Sequence, residues 1–488
     1  MHSAPSAASP AEPDAPQLHL GYLLWIATVA ALGGFLFGYD WVVIGGAKPF
    51  YEAYFHLTTD TLIGWANSCA LVGCLAGSLL SGMIGDRLGR KRSLLLAGAL
   101  FAVSSVLTGW AHSFTAFITW RIVGGLAIGL ASNISPMYIA EISPAQWRGR
   151  LVSLNQLAIV CGILGAQVFD WQIGTRGAHL FSGSLSAITW NAQYGWRWMF
   201  TAVAVPAVLL FVLASAIPES PRWLIARHRT TEAQTVLARM GGREYADTMV
   251  HNMEEHLRHD RAQQTGWRQL FGSPGVRRLV LIGIGLAVLQ QWSGINILFN
   301  YAEDVYRSAG YGVNDILFNI VITGAINLVF TLLAMLFVDR IGRRFLMLLG
   351  CASVGVVHIA LAIVYHMHLR GLPILLLTLC AIGCYAMTLA PVTWVLITEI
   401  FPNRIRARGV SLAVSALWAS SFLLTFSFPA LTGAFGQSGA FVLYGATCLI
   451  GWICVRSLVP ETKGRSLEQI EDQIEDQIGD GIEGATAP

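Results

Sequence analysis

The sequence predicts an all-α membrane protein, with twelve transmembrane helices in two pseudo-symmetric six-helix halves and a cytoplasmic helical linker between them. Three observations carry that prediction. Of the 488 residues, 55% are hydrophobic and 12% charged, about half the charged share with which a soluble chain covers its surface. Apolar segments of about 20 residues, enough to cross about 30 Å of hydrocarbon, recur along the chain. The basic residues are concentrated in alternate loops. The composition excludes an ordinary cytosolic enzyme, a nucleic-acid binder and a disordered scaffold. A lipid bilayer is the expected surrounding and no nucleic acid an expected partner. The net charge of +3 matters less than where the charges lie. The eight cysteines all fall in apolar stretches and read as small buried hydrophobes, not as a disulfide set.

Residues 1–19 hold Ala, Pro and Ser but no Lys or Arg, so they read as a disordered cytoplasmic tail and not a secretory signal. The first half, 20–216, holds spans at 20–44, 60–83, 93–111, 115–140, 150–170 and 196–216. The interval 217–275 mixes Arg and Glu with apolar residues at helical spacing, as short linking helices would. The second half, 276–458, holds spans at 276–302, 312–338, 344–368, 372–397, 408–434 and 438–458. Residues 459–488 end in the acidic repeat EDQIEDQIGDG and read as a solvated cytoplasmic tail.

One set of loops, with the linker and the C-terminal tail, holds 25 of the 31 basic residues. That excess places these loops and both termini inside. The other six are Lys48, Arg121, Arg176, Arg197, Arg307 and Arg370.

The halves share punctuation in the same order. GMIGDRLGRKR (82–92) recurs as DRIGRR (339–344), EISPAQWRG (141–149) as EIFPNRIRARG (399–409), and PESPR (218–222) as PETKGR (460–465). Three ordered matches indicate duplication of a six-helix unit, the design of a transporter whose halves rock about a central site. Carboxylates accompany the arginines at fixed spacing, which anchoring at the inner membrane surface alone does not require. The set Asp86, Arg87, Arg90, Glu141, Arg148, Glu219, Arg222, Asp339, Arg340, Arg343, Glu399, Arg408 and Glu461 therefore reads as a conformational latch, made of bonds strong enough to hold one state.

These motifs resemble the sugar porter family of the major facilitator superfamily. The marks are FGYD (37–40), DRLGRK (86–91), RIVGG (121–125), PMYIAEISPAQWRG (136–149), PESPRW (218–223), QQWSGIN (290–296) and PETKGRSLEQI (460–470). The resemblance spans about 20–470. It implies twelve helices, a mid-membrane solute site, and sugars or polyols as substrates.

Asp40 and Arg121 lie inside spans 1 and 4. A charge at mid-bilayer costs at least about 2.5–3.5 kcal/mol, so each needs a partner or a function. A static ion pair is one reading. The other is proton coupling: a carboxylate beside an arginine holds its charge, and one left alone in a dry site takes up a proton. The resemblance implies the second, because family members similar to proton symporters carry Asp in the FGYD position while facilitators carry a neutral residue. His358, and His366 and His368 near the end of the same span, have no acidic or Cys partner at ligand spacing. Neither a metal site nor a cofactor is expected.

Gln156, Gln290, Gln291, Asn296, Asn300 and Asn327 form a polar lining suited to sugar hydroxyls, since amides both donate and accept. Asn155 reads instead as a helix–helix contact. Gln291 and Asn296 are about 140° apart on an ideal helix, so Gly294 between them is where a break would aim both at one point. Trp394 and Trp418 match positions that resemble sugar-contacting tryptophans of the family, whereas Trp25 and Trp110 read as interfacial. The chain departs from the family at Asn300–Tyr301, Met335, Leu389, Ala390, Leu417 and Ser421, which leaves the particular sugar open.

The leading expectation is a proton-coupled monosaccharide symporter of a cell (inner) membrane, working as a monomer, with hexose or pentose undecided. A passive facilitator and a sugar-sensing receptor are the alternatives; an enzyme is not expected, as no nucleophile–base set or phosphate loop appears.

Overall fold

The structure is a computed structural model that describes residues 18–181, 190–262, 274–401 and 405–459, and these are helical almost throughout. The first half comprises α1 (Leu20–Phe55), α2 (Asp60–Leu88), α3 (Arg90–Gly109), α4 (Phe114–Ile142), α5 (Ala145–Phe181) and α6 (Asn191–Ala216). The linker carries α7 (Pro221–Ala226) and α8 (Thr230–Ala262), the latter bent at Gly241 and Gly242. The second half comprises α9 (Pro274–Trp292), α10 (Ile295–Asn300), α11 (Ala302–Ser308), α12 (Val313–Ile341), α13 (Arg343–His366), α14 (Leu372–Met387), α15 (Leu389–Glu399) and α16 (Arg406–Leu458).

Among the described residues, eleven helical stretches are long and apolar enough to cross a membrane. The last of them, Arg408–Leu458, has 51 residues, and as one helix would reach roughly 75 Å. It breaks instead at Gly436, where φ is 69°, and its two limbs are the eleventh and twelfth spans. Local signals set several other ends. Thr59 Oγ1 caps α2 by accepting from Leu62 N, and Ser113 Oγ caps α4 by accepting from Ala116 N. The repeated DRxGR motif has a structural counterpart in each half: Gly89 (φ 92°) turns α2 into α3, and Gly342 (φ 109°) turns α12 into α13.

Within the first half, α2 and α4 approach at backbone distance, because side chains on Gly73 and Gly125 would strike the Ile122 and Ala70 carbonyls. The halves meet through α2 against α16 and α5 against α12. Large apolar side chains such as Val205, Leu336 and Val356 stand fully outward, the surface expected of a chain solvated by lipid.

Three expectations need correction. Span 5 does not stop at 170 but runs on as α5 to Phe181. Span 1 does not end at 44 but continues to Phe55 through Gly45, Gly46 and Pro49. The missing side chains let α1 pass close to neighbouring helices there, and its polar continuation is held by ion pairs described below. The cysteines are not uniformly buried: Cys69, Cys74, Cys351 and Cys448 are, but Cys380 and Cys454 face outward. The tail up to residue 17, the end of the linker at 263–273, the tail from 460 with Glu461, and the Asp339 and Arg340 side chains lie outside the described residues.

Candidate transport site

The structure joins the two intramembrane charges. Arg121 of α4 donates from Nη1 to Asp40 Oδ1 of α1 at 2.9 Å, and both residues are 3% exposed. The guanidinium also lies 5.2 Å from the centre of the Phe200 ring. The pair is incomplete, since Asp40 Oδ2 and Arg121 Nε have no hydrogen-bond partner. Gly124 keeps that free oxygen uncrowded, as a side chain there would come into contact with it.

The seventh span is broken where the five-residue spacing of Gln291 and Asn296 requires. Gly294 takes φ 82° between α9 and α10, a conformation that a side chain resists. The turn brings three amides together: Gln291 Nε2 donates to Gln290 Oε1 at 2.8 Å, and Asn296 Nδ2 donates to Gln291 Oε1. A second interruption at Tyr301 separates α10 from α11, and Asn300 beside it is buried with Oδ1 unpartnered. His358 of α13 lies behind the break, its Nε2 2.7 Å from the Ser293 carbonyl and its ring against Phe441, so it packs against the turn.

Trp418 of α16 meets Phe37 of α1 with ring centres 5.9 Å apart, a contact between the two halves, and its indole Nε1 has no acceptor. Trp394 of α15 and Gln156 of α5 are half-buried, and Asn327 of α12 is buried. Among the described residues these three are not hydrogen-bonded to one another or to the amide chain. Asn155 does not make the helix–helix hydrogen bond expected of it: its Oδ1 is unpartnered and rests against Gly34 of α1.

At the arginine-rich end the expected latch residues form networks of two kinds. In the first half Arg90 reaches Glu141 at 3.0 Å, Asp86 at 3.4 Å and the Gly85 carbonyl at 2.9 Å. Ser220 donates to Glu141, and Glu219 Oε1 accepts from the Arg90 and Lys91 amides at 2.8 and 3.0 Å. Arg148 donates to the Ala140 carbonyl, and Arg222 stands in the first turn of α7. Arg87 departs from expectation: it is exposed and takes no ion pair among the described residues. In the second half Arg343 lies 3.7 Å from Glu399, and Arg408 stands in the first turn of α16. These pairs join helices inside one half.

Ion pairs that cross between the halves are found at the opposite end, and they involve residues that sequence reasoning missed. Lys48 of α1, 2% exposed, reaches Asp304 at 2.8 Å and Glu303 at 3.3 Å on α11, and Glu52 on its own helix at 3.2 Å. Arg307 completes the cluster by pairing with Glu303. Beside it Gly45 admits the Phe299 carbonyl, Trp41 meets the Phe299 ring at 5.8 Å, and Tyr301 donates to the Thr425 carbonyl. A cavity of about 530 Å³ lies here, lined by Lys48, Glu52, Asp60, Tyr301, Asp304 and Phe428 among others. The available signal was the four-residue spacing of Lys48 and Glu52, which fits a helix running on past 44.

The family model described as "Sugar (and other) transporter" matches residues 26–473. The D-xylose-proton symporter of Escherichia coli K12 is 35% identical over 486 residues, covering 93% of this chain and 96% of its own. The arabinose-proton symporter of Bacillus subtilis is 32% identical over 96% of this chain and 99% of its own. A solved inward-open conformation of the E. coli xylose transporter superposes with TM-score 0.81 at 32% identity, over 92% of this chain and 99% of that one. Two six-helix halves around a broken seventh span, and this likeness along the chain, place the protein in the sugar porter family of the major facilitator superfamily, as a transporter and not an enzyme.

Proposed function

We propose that this sugar transporter is a proton-coupled monosaccharide symporter of the cell membrane, with its arginine-rich end and both termini in the cytoplasm. The single observation that carries the reading is the buried Asp40–Arg121 pair with one carboxylate oxygen left unpartnered. A rocking motion that moves α1 against α4 changes how well Arg121 compensates Asp40. The carboxyl then takes up a proton in one state and gives it up in the other. Relatives named as proton symporters for xylose and arabinose support the same assignment.

In this reading the sugar lies against the amides of the broken seventh span. The unpartnered Asn300 Oδ1 and Trp418 Nε1 are available to its hydroxyls, and the Trp418 and Trp394 faces to its C–H surfaces. The Lys48 cluster seals the outer end, and the arginine-rich end is the open one, in keeping with the inward-open relative. The latch carboxylates and arginines bind the inner ends of each half, so that each rocks as a unit. A passive facilitator is the second reading, favoured by the closed 2.9 Å contact if that contact persists in every state.

The test is uptake of labelled xylose, arabinose, glucose and inositol into proteoliposomes, with and without an inward proton gradient. Accumulation that depends on the gradient and disappears in Asp40→Asn, while exchange survives, supports symport and names the sugar. Equal, gradient-blind equilibration by both proteins overturns it.

A further inference from the structure

A second carboxyl lies buried in the spanning region, outside the site above. Asp170 of α5 is 1% exposed, and neither of its oxygens has a hydrogen-bond partner. It lies beside the α5 stripe that packs on α12 of the other half. Gln167 meets Gly324, Leu317 meets Gly174, and the Trp171 and Phe318 rings are 5.6 Å apart. From the other side α1 closes over the carboxyl at Gly46, where no side chain holds it off.

Among the described residues the surrounding elements bring no compensating charge to it. On α1 the titratable neighbour is Tyr39, whose ring meets Phe169 at 6.3 Å and whose hydroxyl is itself unpartnered. From α12 come Gly324, Leu317 and Phe318, and near Gly174 the α6 side chains are Asn191 and Met199. Lys48 is held by Glu52, Glu303 and Asp304, and Arg121 by Asp40.

We propose that Asp170 is a second proton-binding site, occupied when the Lys48 end is closed and exchanging with water when that end opens. A sealed carboxylate with neither cation nor donor is unfavourable, and one proton on a carboxylate oxygen removes the charge. Drawing α5 away from α12 admits water to the carboxyl, which then ionises. Closing again takes one proton from the Lys48 side. The inference rests on the rocking of two halves, but not on symport at Asp40. It makes closure, and hence sugar exchange, depend on pH at the Lys48 side without any gradient. Above the open-state pKa the closed-to-open ratio falls about tenfold per pH unit, because closing binds a proton.

Infrared spectroscopy of the purified transporter tests this through the carbonyl stretch of a buried protonated carboxyl. The band is expected at neutral pH in the wild type and in Asp40→Asn, and is expected to be lost in Asp170→Asn. Equilibrium exchange by Asp170→Asn is expected to lose its decline at high pH. An undiminished band in Asp170→Asn, or no band in Asp40→Asn, overturns the proposal. If Asp170→Asn fails to fold, Glu303→Gln is added to Asp40→Asn to remove the other carboxyls described as buried, and loss of the band in that variant overturns the proposal while its retention supports it. Failure of symport would show separately, as gradient-blind equilibration of sugar with the infrared result unchanged.

Discussion

Replacing Lys48 by methionine keeps the length of the side chain and removes the charge that ties α1 to α11. In the closed state the ammonium meets Asp304 at 2.8 Å and Glu303 at 3.3 Å across the halves. Removing one partner of a buried pair costs about 3–5 kcal/mol. Two features reduce that here: the Asp304 side chain is 28% exposed, and Glu303 keeps its contact with Arg307. A figure of about 2–3 kcal/mol follows, and it falls on the closed state alone, since opening separates these groups. The open population should then rise by roughly 30- to 150-fold. The assay is the alkylation rate of a cysteine introduced at Phe428, which lines the cavity beside the cluster, in a background without the eight native cysteines. An impermeant reagent applied from that side should react faster by about this factor. Adding Glu303→Gln and Asp304→Asn should bring the rate part of the way back down, since the two carboxylates that Lys48 meets across the halves are then neutral while Glu52 and Arg307 keep their charges. A rate unchanged by Lys48→Met would refute the reasoning.

Three further outcomes follow from the same geometry. Arg121→Met should lower stability by about 3–5 kcal/mol, because it strands Asp40 in a dry site, and Asp40→Asn added to it should recover most of that loss in a thermal melt. Trp418→Phe and Asn300→Ala remove groups that have no protein partner, so sugar affinity should fall about three- to tenfold in each, as measured by titration of binding. Unaltered affinity in both would place the sugar elsewhere. Arg90→Ala removes the residue joining Glu141, Asp86 and the Gly85 carbonyl, and should lower the unfolding midpoint more than Arg87→Ala, whose side chain is exposed.

Much of the fold was legible because the relevant physics is local. Twenty apolar residues span a bilayer wherever they occur, and a five-residue amide spacing around Gly294 implies a break. The Asp40–Arg121 contact was legible for a different reason: two charges in hydrocarbon have few alternatives to each other. The Lys48 cluster was not, since its partners lie 255 and 256 residues away and Lys48 follows a Gly-Gly pair that looks like a helix end. Asp170 escaped notice at the edge of its span, where an acid reads as wetted. Only the packing of α1 and α12 over α5 shows that it is dry. The latch arginines share a motif, but the motif does not say that Arg90 is buried among three acceptors while Arg87 faces outward.

Symport through Asp40 requires that sugar and proton cross together. Adding sugar to the outside of de-energised proteoliposomes and recording external pH tests it without any imposed gradient. Sugar-dependent alkalinisation of the medium is expected from the wild type and none from Asp40→Asn, although that variant still exchanges sugar. Sugar entry by the wild type with no pH change, or an undiminished pH change in Asp40→Asn, would contradict it.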